Sequence, residues 1–264
     1  GLVQLDNQLK IQPEIASNWE ISEDGMTYTF KLREDVYFHP SPLFGASTTR
    51  RVNASDFVFS FNRLIDPNVA SPGSWVMQQV AHYEAIDTHT LKIQLKNPFP
   101  GFLGLLSMRY CAVVPKEVVN HYGNRFRSNP IGTGPFYFKR WEENIKLVLR
   151  KNNNYFERDS LGNSLPYLES IAIQFIPDIQ SEFMLFLQGK LDFINSLDSS
   201  YKDELLTPIG QLQENYKNRL ELLNGPYLNT EYIGIYLENS NPAIQSPKIR
   251  EALNIGFDRK LMIA

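Results

Sequence analysis

The sequence predicts a mixed α/β fold that is rich in β-hairpins. Two patterns support it: segments of alternating apolar and polar residues bounded by turn residues, and segments with apolar residues three and four positions apart. In addition, 42% of the 264 residues are hydrophobic and 12% aromatic, so a sizeable core is expected and a disordered chain is excluded. This length suits about two domains or one large α/β domain.

Strands are predicted where β-branched and aromatic residues alternate with polar ones. The predicted strands cover residues 16–21, 27–32, 83–86, 91–95, 136–141, 145–149, 171–176, 220–223 and 232–237. The first six pair as three hairpins. In the turn of the first hairpin, Gly25 supplies the positive φ that a tight turn requires.

Three helices are predicted from capping residues and apolar spacing. Asn53 caps the first helix, Gly189 ends a second helix over residues 179–188, and Ser246-Pro247 begins the third, with serine at the cap and proline in the first turn. One face of the first and third helices is apolar, and its residues are expected to be buried. These residues are Phe57, Phe61, Ile249, Leu253 and Phe257.

The charged residues and the chemically reactive residues do not indicate catalysis. The net charge of −3 argues against a nucleic-acid partner, which requires a basic face. The single cysteine, Cys111, excludes an internal disulfide and a cysteine-based metal site, and its apolar neighbours predict a buried, inert thiol. No H-E-x-x-H or G-x-S-x-G motif occurs. We therefore expect no catalytic residues, no metal ligands and no cofactor; an enzyme stays as an alternative that turnover of a peptide or sugar would reveal.

Three local features admit two interpretations each. Residues 132–135, Gly-Thr-Gly-Pro, look like part of a phosphate loop but favour a tight turn before a strand, in which Gly134 adopts a conformation that disfavours a Cβ atom. The acidic residues Asp198, Asp203 and Glu204 favour a solvated helix start over a carboxylate dyad. Trp75 lies in a loop, where a tryptophan either folds back onto the protein or contacts a ligand.

The ends of the chain suggest a fragment. Residue 1 opens directly into strand-like sequence, and the last residues are helix-like without a closing cap. No apolar run approaches the ~20 residues of a membrane span. The cellular compartment therefore cannot be inferred from the termini.

Four segments, in the same order, resemble the extracellular solute-binding proteins of the peptide/nickel transporter type, family 5. The first segment combines a tryptophan, an Asp-Gly turn and a Thr-Tyr-Thr-Phe-Lys-Leu-Arg strand, and the second contains Gly-Thr-Gly-Pro. The four segments are residues 13–33, 129–136, 189–192 and 249–259. Two departures are visible: a longer loop follows residues 36–40, and Tyr236 replaces the asparagine of a family strand.

The resemblance implies the N-terminal lobe of a type II periplasmic-binding-protein-like fold, with a mixed sheet, helices and a hairpin-rich subdomain. Residues 17–130 are expected to form the hairpin-rich subdomain. Residues 1–16 and 131–264 are expected to form the sheet subdomain that carries the hinge. Members are about twice this length, so the second lobe is expected to be absent from this chain.

The resemblance also implies a function. The protein is expected to be the substrate-binding component of an ABC importer. Its expected location is the periplasm or the cell surface, where a membrane-anchored lipoprotein is one option, and its expected partners are a peptide or similar solute and a membrane permease. Oligopeptide, dipeptide, nickel chelate and oligosaccharide stay open as ligands. The alternative is a ligand-sensing domain of a transcription regulator with the same fold. The expected ligand-binding residues are Trp75, Thr133, Gly134, and the strand-end residues Phe193, Asn195 and Ser196.

Overall fold

Antiparallel sheets dominate the first of the two units into which the chain divides, Gly1–Asn224 and Gly225–Ala264. The computed structural model describes residues 1–225, 229, 232–238 and 241–258. In these residues the strands are β1 (Val3–Leu5), β2 (Ile11–Pro13), β3 (Ala16–Ile21), β4 (Thr27–Leu32), β5 (Val80–Asp87), β6 (Thr90–Leu95), β7 (Phe136–Glu142), β8 (Lys146–Lys151) and β9 (Ser170–Gln174). The helices are α1 (Ala54–Ile65), α2 (Phe102–Leu106), α3 (Lys116–Tyr122), α4 (Ile179–Leu187), α5 (Lys202–Leu205), α6 (Pro242–Gln245) and α7 (Pro247–Ile255).

The four-stranded sheet has the order β3-β4-β6-β5 and contains two of the three predicted hairpins. Gly25 has a φ of 68°, as its turn requires. On β4, Tyr28 and Phe30 are buried, and β6 places Ile93 and Leu91 opposite them. The alternation of the sequence therefore gives this sheet one buried face.

Helix α1 covers the buried face of that sheet. Asn53 and Asp56 form a complete capping box: the Asn53 side chain accepts from the Asp56 N–H, and the Asp56 carboxylate accepts from the Asn53 N–H. Phe57 and Phe61 are fully buried, as predicted, and the Phe61 ring packs edge-on against Tyr83 of β5 at 5.5 Å. Cys111 is buried in the same core, which also includes residues from β1 and β3.

The three-stranded sheet has the order β7-β8-β9, and its first two strands form the third predicted hairpin. Asn144 in the turn has a φ of 58°. The register slips between Phe138 and Arg140, so Lys139 is the extra residue of a β-bulge.

A second, smaller cluster of buried side chains lies later in the first unit. Phe183 of α4, Leu205 of α5 and Tyr216 form it, and the Phe183 and Tyr201 rings stack at 4.2 Å. Asp178 caps α4 by accepting from the Ser181 N–H. Gly189 follows α4 with a φ of 72°, which confirms the predicted end of that helix.

In the second unit, helix α7 forms where the sequence predicts it, but the predicted burial of its apolar face is wrong. Ile249, Leu253 and Phe257 are 40%, 58% and 43% exposed. Ser246 precedes Pro247 as expected, yet its side chain makes no capping bond. A unit of this size buries too little apolar surface to form a core of its own, so amphipathic spacing does not by itself lead to burial.

Two predicted strands are absent from the described residues. Residues 220–223 and 232–237 have no strand pairing there, and the Tyr236 hydroxyl instead donates to Glu238 Oε2 at 2.8 Å. A strand requires a hydrogen-bonded neighbour, which local sequence cannot supply. Arg259, the last residue of the fourth family segment, lies outside the described residues. The predicted division into subdomains 1–16 with 131–264 and 17–130 stays a prediction.

Candidate functional site

The Gly-Thr-Gly-Pro segment, residues 132–135, is a bend that leads directly into β7, and a buried histidine holds it. His39 Nε2 lies 2.9 Å from the Gly134 carbonyl oxygen, and His39 Nδ1 accepts from the Gly132 N–H at 3.3 Å. The His39 N–H also donates to the Gly132 carbonyl at 2.7 Å. With Nδ1 as acceptor, the neutral ring carries its proton on Nε2 and donates to Gly134. Burial lowers the pKa of His39, against the opposing effect of the Gly134 bond.

A buried asparagine holds the bend from the other side. Asn152 Nδ2 donates to the Gly134 carbonyl at 2.9 Å, and the Asn152 N–H donates to the Pro135 carbonyl at 2.8 Å. Its Oδ1 accepts from the Asn154 N–H at 3.0 Å. The Gly134 carbonyl therefore accepts two hydrogen bonds, one from the His39 side chain and one from the Asn152 side chain, and together these bonds restrict its orientation.

The bend does not require glycine at position 134, contrary to our prediction. The φ of Gly134 lies outside the left-handed region, and a Cβ atom there would meet no other atom within 4 Å. The two side-chain bonds to its carbonyl fix the conformation instead. Neighbouring Thr133 is half-buried, and its side chain makes no hydrogen bond in the part of the chain that the structure describes.

The second group of predicted site residues lies near a cavity of about 340 Å³ beside the smaller buried cluster, and one of the three, Ser196, borders it. Ser196 lines this cavity and has a φ of 71°, a conformation that non-glycine residues adopt mainly at special sites. Phe193 is 64% exposed and Asn195 is exposed. The prediction that these three residues end a strand is wrong, because residues 191–196 form an irregular segment without strand pairing in the described chain.

Aliphatic, aromatic and acidic side chains and one further serine make up the rest of this cavity. Its other lining residues are Ile179, Glu182, Phe183, Ile194, Leu197, Asp198, Ser199 and Tyr201. Asp198 accepts from the Ser200 N–H at 2.9 Å, which holds the pKa of its carboxyl below the usual value. Asp203 and Glu204 lie in the first turn of α5. The acidic group is therefore a helix start, as predicted, rather than a carboxylate dyad.

Trp75 lies in a 3₁₀ turn, Ser74–Met77, apart from the other predicted site residues in sequence. Val76 and Met77 of this turn are buried, whereas Trp75 is 43% exposed, so it does not fold into the core. The turn begins at Gly73, whose backbone lies against Tyr110: a Cβ atom at Gly73 would lie 2.2 Å from the Tyr110 Cγ atom. The described contacts do not join Trp75 to Thr133 or Ser196.

His39 and Asn152 are the residues of this candidate site that the sequence did not reveal. No motif of fixed spacing connects His39 to a turn 95 positions away in the chain. Asn152 is the first of three consecutive asparagines. Asparagine side chains often hydrogen-bond to backbone groups, so this run is the local sequence signal for such a role.

The described residues contain no group of three or more His, Cys, Asp or Glu side chains that is able to hold a metal ion. Nor is any helix among them long and apolar enough to cross a membrane. The two groups of candidate residues, at positions 133–134 and 193–196, provide hydrogen-bonding groups and apolar surface. These features suit the binding of a solute.

The chain is similar to several solute-binding proteins. It is 28% identical, over all of its length, to the glutathione-binding protein GsiB of Escherichia coli (strain K12), of which it covers 47%. It superimposes with a TM-score of 0.67 on the periplasmic binding protein DppA from Helicobacter pylori in complex with the peptide STSA, at 27% identity over 77% of this chain and 42% of that one. OppA of Haemophilus influenzae, in complex with RPPGFSPFR, superimposes with a TM-score of 0.67 at 26% identity, and the match covers 78% of this chain and 41% of that one.

Two of these relatives, GsiB and DppA, are named as binding proteins, and none of the three is named as an enzyme. The chain spans about half the length of the curated relatives it matches. The combination of helices and sheets is that of a type II periplasmic-binding-protein-like fold, which confirms the expected fold class. Residues 10–264 match the bacterial extracellular solute-binding proteins, family 5, and the chain belongs to that family.

Proposed function

We propose that the whole protein is the solute-binding component of an ABC importer. It captures a peptide, glutathione or a similar small solute outside the cytoplasmic membrane and delivers it to a membrane permease. The observation that carries this proposal is the family match over residues 10–264, together with alignment of the entire chain to a glutathione-binding protein. The comparisons lend no support to the alternative of a regulator's sensing domain.

Binding in this proposal breaks no covalent bond. Two lobes close on the solute, and the solute shifts the equilibrium between open and closed forms. The chain supplies one lobe, in which residues 17–130 form the hairpin-rich part and residues 1–16 and 131–264 form the part that carries the hinge. A peptide bound in an extended form is held largely by backbone groups, with side-chain pockets that add selectivity.

The bend at residues 132–135 is a suitable rigid wall for such a site. Thr133 and Gly134 present backbone groups on a segment whose position is fixed by His39 and Asn152. A prepositioned polar group loses less entropy on binding than a mobile one. Thr133 adds a hydroxyl that has no hydrogen-bond partner in the described chain and is therefore available to a solute.

The second wall is the segment that contains Phe193, Asn195 and Ser196. The Phe193 ring is 64% exposed, so burial against a solute or against the opposite lobe removes considerable apolar surface from water. Asn195 supplies an exposed amide, and Ser196 opens onto the cavity of about 340 Å³. Trp75 is proposed as a further aromatic contact.

The test is calorimetric titration of the full-length protein with glutathione, a dipeptide and a tetrapeptide. We expect saturable binding of at least one of them, and weaker binding in the Phe193→Ala variant. Ile145→Ala is the matched control, because Ile145 is also exposed but lies in the β7–β8 turn. Absence of binding to all three ligands would refute a peptide-type solute, and equal binding by the Phe193→Ala and wild-type proteins would remove Phe193 from the site.

A further inference from the structure

A polar cavity of about 320 Å³ lies on the three-stranded sheet. Its walls are Tyr137 and Lys139 of β7, Arg150 and Lys151 of β8, Asn153, and Glu169 just before β9. Three cations therefore line it against one carboxylate, in a chain whose net charge is −3. This local excess of positive charge does not follow from the composition of the chain.

The register of the strands produces this concentration of charge. Tyr137 of β7 pairs with Arg150 of β8, which in turn pairs with Ser170 of β9, so the three residues form one row across the sheet. The bulge at Lys139 interrupts the alternation of β7, and bulges re-aim the side chain that they contain. Lys139 lines the same cavity as Tyr137 and Arg150.

Among the described residues, one of the three cations has a neighbour that neutralises its charge. Lys151 Nζ lies 2.9 Å from Glu169 Oε1. Within the described ranges of the chain, Lys139 and Arg150 have neither an ion pair nor a side-chain hydrogen bond. Two cationic groups that face one concave surface without counter-charges repel each other, and an anion between them removes that repulsion.

We infer that this cavity binds a small oxyanion, a phosphate or a carboxylate group. The Arg150 guanidinium offers the fork of donors that matches either group, and Lys139 offers a point charge. The Tyr137 hydroxyl and the Asn153 amide provide neutral donors around them. The cavity shares no lining residue with the proposed solute-binding residues, and the inference does not depend on the proposed function.

The experiment is calorimetric titration of the 264-residue chain at low ionic strength, once with inorganic phosphate and once with citrate. Saturable binding of phosphate alone assigns a phosphate site, binding of citrate alone assigns a carboxylate site, and binding of both supports an oxyanion site that does not discriminate. No saturable binding of either anion up to millimolar concentration would overturn the inference.

Variants locate the site. Lys139→Gln and Arg150→Gln should each weaken anion binding about tenfold, which corresponds to the loss of one hydrogen bond to a charged group. Lys146→Gln is the matched control, because Lys146 is exposed on β8 and does not line the cavity. If Lys146→Gln weakens anion binding as much as the other two variants do, the anion is attracted by the general positive charge of the sheet, and the proposed site is overturned. Thermal unfolding of each variant verifies that these exposed substitutions leave the fold intact.

Discussion

The His39 ring and the Gly134 carbonyl are joined by a hydrogen bond of 2.9 Å, although 95 positions separate the two residues in the chain. The bond joins the loop after β4 to the bend before β7. The same ring accepts a hydrogen bond from the Gly132 N–H at Nδ1. Because a protonated Nδ1 cannot accept, both bonds of the ring to the bend form together only when the imidazole is neutral. The position of the bend is therefore linked to the protonation of one side chain.

The first prediction is that stability falls as the pH falls below the ordinary histidine value of about 6.5. Burial lowers the pKa of His39 in the folded state, so the unfolded chain takes up the proton first. The contribution of His39 is present above that pH and is lost as the pH falls toward its folded-state pKa. Urea unfolding at pH 7.5 and 5.5 measures the effect. His39→Gln should reduce the difference between the two pH values; His82→Gln, which replaces an exposed histidine, is the control.

The second prediction concerns the ion pairs of Arg50. Its guanidinium binds both oxygens of buried Asp56, at 2.7 and 2.8 Å, and both oxygens of partly exposed Glu117, at 2.8 Å. Burial would lower the pKa of Arg50, but these bonds outweigh burial and raise it. Asp56→Ala leaves Arg50 without its buried partner and breaks the capping box, so we expect a loss of about 3 kcal/mol or more.

Glu117→Gln removes the more exposed partner and should cost less than about 1 kcal/mol. Denaturant unfolding of both variants gives the comparison. Equal losses for the two variants would show that burial does not govern this network.

A third prediction concerns Gly73. An alanine there would place its Cβ atom 2.2 Å from Tyr110, so we expect Gly73→Ala to destabilise the protein by about 1–3 kcal/mol. Tyr110→Ala should relieve most of this loss in the double variant. Gly134→Ala is the matched control and should be neutral within about 0.5 kcal/mol, because its Cβ atom meets open space. If denaturant unfolding gives Gly73→Ala the same free energy of unfolding as the wild type, the close packing of this loop is contradicted.

The fourth prediction is that Cys111 is unreactive in the folded protein. Burial raises the pKa of its thiol to about 12, and the sulfur lies 3.6 Å from the Leu105 carbonyl. Since the thiolate is the reacting form, a colorimetric thiol reagent at pH 8 should modify the native chain slowly and the urea-unfolded chain rapidly. Fast modification of the native chain would mean that the core around Cys111 opens readily.

The fifth prediction is that the 264-residue chain binds a peptide weakly by itself. Phe193 and Asn195 are exposed to water, and hydrogen bonds made in water contribute only about 0.5–1.5 kcal/mol each. A micromolar dissociation constant corresponds to a binding free energy of about −8 kcal/mol. If one lobe supplies half of that free energy, the dissociation constant of this chain lies near the millimolar range. Calorimetry on this chain and on the full-length protein tests the difference. A low-micromolar value for the 264-residue chain would show that one lobe suffices.

Local sequence predicted the elements whose determinants are local. The three hairpins follow from alternation and turn residues, and α1 follows from a capping box and apolar spacing. Residues 232–237 have strand-like alternation but form no strand, because pairing depends on a distant neighbour. Periodicity identified the apolar face of α7, but it could not show whether another element covers Leu253.

The candidate site was predictable to a similar extent. The Gly-Thr-Gly-Pro turn and its entry into β7 were visible in the sequence, whereas the means by which it is fixed were not. Glycine at position 134 suggested an unusual φ, yet the restraint comes from the side chains of His39 and Asn152. Contacts of this kind depend on the tertiary fold, so no motif of fixed spacing reports them.

The small size of the second buried cluster affects the dynamics of the segment that contains Ser196. Three buried side chains, Phe183, Leu205 and Tyr216, stabilise it, whereas the main core draws on five strands (β1, β3, β4, β5 and β6) and on helices α1 and α2. Segments with few buried contacts open at a lower free energy than the whole domain. Amide hydrogens of α4 and α5 should therefore exchange with solvent before those of β4 and β6. The segment that contains Ser196, a proposed wall of the site, should thus adjust its conformation in the native ensemble more readily than the bend that His39 holds.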